Sequence, residues 1–309
     1  MNTTSPSAAQ PLADIPDLAT FVARAWDLHA QQPAAVVAGL RARAPQLPAD
    51  DDGAGAVGLA EHVWLAHLGD PAGLDGWLDA LPAAWATGGA AGDALRRARW
   101  AARAAGGGEA AAASLLSDAL RWRALQNVWA VWSQRGRAAA AKAQLEAEWP
   151  AALAHPDAAA TRALAATCNN TAVELRSGTR GDAERDALML AAARASARLW
   201  TAVGTWVHAE RAEYQLARCH AVLGDGAQAL AHARACQAAV EAHADDPQAD
   251  AFERFYVHEA LAWSHLAAGD RAAAAGECDR MQMLLAQVGD PELRAWAAAD
   301  RQALETALG

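Results

Sequence analysis

The chain has 309 residues, 53% of them apolar and 20% charged, with a formal net charge of −10. That apolar share excludes a disordered chain, and the acidic balance argues against a general nucleic-acid binder, whose affinity comes from neutralising phosphates. Ala occupies 91 positions and Ile only one, Ile15, so the apolar residues are mainly the strongest helix former rather than strand formers, and the expected class is all-α.

In chain order, residues 1–11 read as a disordered tail, without the basic and apolar regions of a secretory signal. IPDLATFVARAWDLHAQ starts a helix after Pro16-Asp17, and AVVAGLRARA gives a second that ends before Pro45. PADDDGAG reads as an acidic break. GLAEHVWLAHLGD then runs to a Gly69-Asp70 turn, and LDGWLDAL follows. GDALRRARWAARAAGGG closes on Gly106–Gly108, a candidate boundary. Residues 12–105 are thus an N-terminal helical region and 106–309 a region of repeats. Within the latter, helices are expected over about 110–134, 137–153, 157–176, 182–203, 206–223, 226–243, 250–268, 271–287 and 291–307. Pro150, Pro156, Pro247 and Pro291 fall between them as breakers. Trp122, Trp129 and Trp132 share nearly one face, either as core or as an exposed aromatic strip.

The repeat is measured by glycines. Gly92, Gly136, Gly181, Gly224 and Gly269 are separated by 44, 45, 43 and 45 residues, about the length of two helices and two short loops. A glycine just past a helix takes the left-handed conformation that ends it, and the Asp after it caps the next helix. Leu216, Ala217, His220 and Leu223 form one face before Gly224, with Ala229, Ala233 and Cys236 after it. Leu261, Ala262, His265 and Ala268 repeat the set before Gly269, with Ala274, Cys278 and Met281 after.

Leu-Ala eight and seven residues ahead of a turn glycine, with Ala five after it, resembles the tetratricopeptide repeat. Leu216, Ala217, Gly224 and Ala229 match, as do Leu261, Ala262, Gly269 and Ala274. The likeness is clearest over 207–288. The copy at Gly136 has Val128 and Trp129 in the first two places, and the period of 43–45 exceeds the family's 34. The resemblance implies a right-handed superhelix of antiparallel helix pairs that holds a protein or peptide on its concave face, without catalysis. The family's ligand-touching positions fall here on Arg211, Tyr214, Gln215 and Arg218, and on Tyr256, Glu259 and Trp263. Asn169 and Asn170, poor helix formers in mid-helix, are further candidates for binding a peptide backbone. Glu210, Glu213 and Glu259 offer the two arginines internal partners instead. A small-peptide receptor is the alternative within the same class.

An enzyme or enzyme subunit is the alternative from another class, with a cavity around His62, His67 and the cluster Arg96, Arg97 and Arg99. Against it, no Walker loop, nucleophile elbow or dinucleotide fingerprint occurs. His258-Glu259 lacks a second His, since residue 262 is Ala262. His62 and His67, five residues apart, make a poor metal pair on an α-helix, and His232 with Cys236 finds no second pair. No cofactor or metal is expected. Residues 93–142 carry nine basic against three acidic side chains, either solvated helix faces or a patch for an acidic partner. Four scattered cysteines without a Cys-x-x-Cys suit a reducing cytoplasm, and no apolar run is long enough to cross a membrane.

Overall fold

The computed structural model describes residues 12–86, 88–107 and 116–309, and every regular element among them is helical. The disordered tail expected over 1–11, and the start of the helix expected from 110, lie outside the described residues. The chain divides into two compact units, Met1–Arg137 and Ala138–Gly309. The division falls after α6 (Asp118–Gln134) rather than at the glycine run.

The first unit holds α1 (Leu18–Leu28), α2 (Pro33–Arg43), α3 (Asp51–His62), α4 (Pro71–Asp79), α5 (Gly89–Gly106) and α6. Four of these helices, α1, α3, α4 and α6, start on side-chain caps. The amides of Thr20, Gly53 and Gly73 donate to Asp17, Asp50 and Asp70, and that of Leu120 to Ser117. The acidic run after Pro48 is therefore not a break. Asp50 caps α3, and Asp51 and Asp52 fill its first turn, where carboxylates favour the positive end of the helix dipole. At its other end α3 runs into one π-helical turn, Val63–His67, in which Leu68 N–H donates to the Val63 carbonyl at 3.1 Å. This turn packs against α2, α4 and α6. Trp64, Trp85, Trp122 and Trp129 are fully buried and serve as core, whereas Trp132 is partly buried. Trp77 and Trp85 donate their indole N–H to the carbonyls of Leu40 and Leu47 at 3.1 and 2.9 Å. Gly92 lies buried inside α5, so the first rung of the glycine ladder is not a hairpin bend.

The second unit holds α7 (Ala138–Leu153), α8 (Ala158–Ser177), α9 (Ala183–Val203), α10 (Trp206–Val222), α11 (Gly226–Ala242), α12 (Ala251–Ala267), α13 (Arg271–Leu285) and α14 (Pro291–Leu308). Here the ladder holds. Gly181, Gly224 and Gly269 have φ of 100°, 74° and 81°, values that a side chain would strain. Asp182, Asp225 and Asp270 each accept from an amide of the helix that follows. Pro150 departs from expectation. It lies inside α7 near its end, where its missing N–H costs one hydrogen bond and the helix still reaches Leu153.

Each helix of this unit packs on its sequence neighbours, and α8, α10, α12 and α14 also pack in succession on one another. Alanine allows the approach: Ala217, Ala229, Ala233, Ala260, Ala262 and Ala274 are all fully buried. Larger side chains fill the layers between. Cys236, Val240, Val257 and Leu261 join α11 to α12, and Phe255, Cys278, Met281 and Leu304 join α12 to α13 and α14. Gly226 marks the tightest contact. A Cβ there would stand 2.5 Å from the Ala268 backbone, so only glycine lets the start of α11 abut the end of α12.

Candidate functional site

The α10 and α12 side chains singled out in the sequence meet in one network. Arg211 forks onto Glu253 with Nε and Nη2 at 2.8 and 2.7 Å from its two oxygens. Arg218 pairs with Glu259, donates to the Tyr214 hydroxyl at 3.3 Å and lies 5.0 Å above the Trp263 ring. Trp263 donates its indole N–H to the same Glu259 at 2.8 Å. Tyr256 donates to Asp300 of α14 at 2.8 Å and meets Tyr214 edge to face. Gln215 is buried and turns to Cys219. Asn169 and Asn170 stand on α8, with Asn169 donating to Asn170 at 3.4 Å.

Exposure separates these residues. The Glu259 side chain is 2% exposed and Arg218 14%, whereas Arg211 is 62% exposed. The Arg218–Glu259 pair is thus an internal tie between helices, and Arg211 is the guanidinium that reaches solvent. Beside the tie is a cleft of about 320 Å³ walled by Arg218, Val222, Trp263, Leu266, Ala267 and Arg271. A second cleft, of about 520 Å³, shares none of these residues. It is lined by Val240, Val257, Arg280, Met283 and Leu284, with Met283 61% exposed.

Under the same helices lies Glu210, 2% exposed. It accepts from the Cys236 thiol, and its second oxygen has no hydrogen-bond partner. Burial, with the Glu253 carboxylate beside it, pushes its carboxyl up to about 8. All four cysteines are buried, and burial raises each thiol, Cys219 to about 11. None is poised as a thiolate nucleophile. His232 is held by Glu213 at 2.7 Å while Cys236 turns to Glu210, so the two do not face a common ligand. Arg96, Arg97, Arg99, Arg121 and Lys142 of the basic segment pair with carboxylates within reach.

A different constellation lies in the first unit, and the sequence spacing concealed it. Five residues are about 1.4 turns of an α-helix, which would turn His67 away from His62. The π turn closes on five residues instead and brings His67 Nε2 to 3.2 Å from His62 Nε2. His29, just past the end of α1, completes the group. Its ring centre is 5.1 Å from that of His62 and 4.9 Å from that of His67, and one nitrogen of each ring lies within 4.8 Å of the others. Trp26, 40% exposed, edges the cluster at 5.1 Å from His29 and 5.4 Å from His62. Burial, reinforced by the neighbouring imidazoles, lowers His67 to about 4, and burial lowers His62 too. The chain matches no protein-family model, and no curated protein or solved structure matches it significantly.

Proposed function

We propose that the chain is a non-catalytic scaffold in which tetratricopeptide-like helix pairs of the second unit, arranged as a right-handed superhelix, hold a protein or peptide against their first helices. The observation that carries this reading is the row α8, α10, α12 and α14. These helices pack in succession, and α10 and α12 present Arg218 and Trp263 on the wall of an open cleft. Arg271 on the cleft wall favours an acidic segment, and Trp263 and Leu266 favour an apolar side chain within it. A cytoplasmic location goes with this reading.

The test must spare the internal ties, so it fills the cleft instead of removing Arg218. Affinity capture from the native cell with the wild-type chain is compared with capture by Ala267→Trp. Ala267→Trp is expected to reduce recovery of the wild-type partner by about tenfold or more, equivalent to 1.4 kcal/mol of binding, with an unchanged melting curve. Equal recovery by the folded variant would show that the partner binds elsewhere.

A further inference from the structure

We propose that His29, His62 and His67 form a site for one divalent transition-metal ion of the zinc class, with a coordination position left open for water. This goes beyond the peptide-binding reading, since all three residues belong to the first unit.

The argument starts behind the ligands. Glu61 is 1% exposed and accepts from Arg97 Nε at 2.8 Å through one oxygen. Its other oxygen accepts from Asn127 Nδ2, also at 2.8 Å. A carboxylate paired with a guanidinium only accepts, so the Asn127 amide must turn its NH₂ to Glu61 and its carbonyl oxygen outward. That oxygen is 3.0 Å from His62 Nδ1. His62 therefore carries its proton on Nδ1 and keeps a lone pair on Nε2, facing His67. At His29, Nδ1 donates to the Trp26 carbonyl, which again leaves Nε2 as the lone-pair atom. Anchoring the far nitrogen of an imidazole to a carboxylate, amide or carbonyl is the arrangement that orients metal-binding histidines.

The His62–His67 separation agrees with an ion. Two nitrogens bound at 2.0–2.1 Å to tetrahedral zinc stand about 3.3 Å apart. The two Nε2 atoms of His62 and His67 are separated by 3.2 Å. A bare hydrogen bond between those two rings would account for the contact but not for His29, whose ring sits at equal range from both. Three imidazoles without thiolate or carboxylate select zinc, copper(II), nickel or cobalt over magnesium and calcium. Three protein ligands leave a tetrahedral ion with one free position, the pattern of sites that bind water or substrate rather than closed structural sites. The π turn supplies the geometry, since an α-helical register would separate His62 from His67.

The test titrates cobalt(II) into the full chain after removal of metals by chelation. One equivalent should produce the intense visible bands of tetrahedral cobalt, and zinc should displace it. His29→Ala and His67→Ala should abolish the bands without loss of helical circular dichroism, and Asn127→Ala should weaken zinc binding by about 10- to 100-fold. Should a variant misfold, copper(II) bound to the wild-type chain decides: its electron paramagnetic resonance should show three imidazole nitrogens. Absent bands, bands retained in the histidine variants, or fewer than three nitrogens would overturn the site.

Discussion

Arg218→Ala is expected to destabilise the protein by about 3–5 kcal/mol, the typical consequence of removing one member of a buried ion pair. The loss does not measure the strength of the pair. It arises because Glu259, 2% exposed, would be left buried without its guanidinium, with only the Trp263 indole N–H beside it. Replacing both partners, Arg218→Met with Glu259→Leu, removes the buried charge altogether, and that double variant should lie much closer to wild type. Arg96→Ala is the control. The Arg96–Asp93 pair is about half exposed on both sides, and such pairs contribute about 0–1 kcal/mol. Urea unfolding of the four chains measures the differences. If Arg218→Ala cost no more than Arg96→Ala, the pair would not be a tie between α10 and α12.

The second expected result concerns pH. Burial and Glu253 raise the Glu210 carboxyl from an ordinary value of 4.5 to about 8 in the folded chain. Between those limits the folded state holds a proton that the unfolded state has released. Stability due to this group is fully present below about pH 4.5 and falls as pH rises, by up to about 1.4 kcal/mol per pH unit, levelling off above about pH 8. Glu210→Gln keeps the size of the side chain and cannot ionise. The variant should therefore gain on wild type steadily through this window, whatever the other groups contribute to both curves. Parallel stability–pH curves for the two chains would show that Glu210 is not held neutral by its surroundings.

Much of the second unit was legible because its signals are local. A glycine after a helix, an Asp next to it and alanine at packing positions each act within a few residues. They located the Gly224 and Gly269 turns, their Asp caps and the helices around them. What escaped is nonlocal or breaks the helical period. The partner of Arg211 is Glu253, 42 residues on, and that of Arg218 is Glu259, 41 residues on. Both separations are close to one repeat, so opposite charges one period apart were the signal available, and only Glu259 was taken up. Gly226 reads like any cap residue until Ala268 is seen against it. The acidic run at Asp50–Asp52 resembled a loop because cap and first-turn carboxylates have the composition of one. The histidine cluster was hidden most deeply. Its register depends on a single π turn, and its third member stands just past the end of α1, more than thirty residues earlier in the chain.

Hydrogen–deuterium exchange on the captured complex tests the scaffold reading most directly, by comparing the chain with and without its partner. Binding along the first helices predicts slowed exchange in α10 and α12, centred on 211–222 and 256–267, with little change in α11 and α13. Protection confined to α11 and α13 around Met283, or to the first unit, would contradict it.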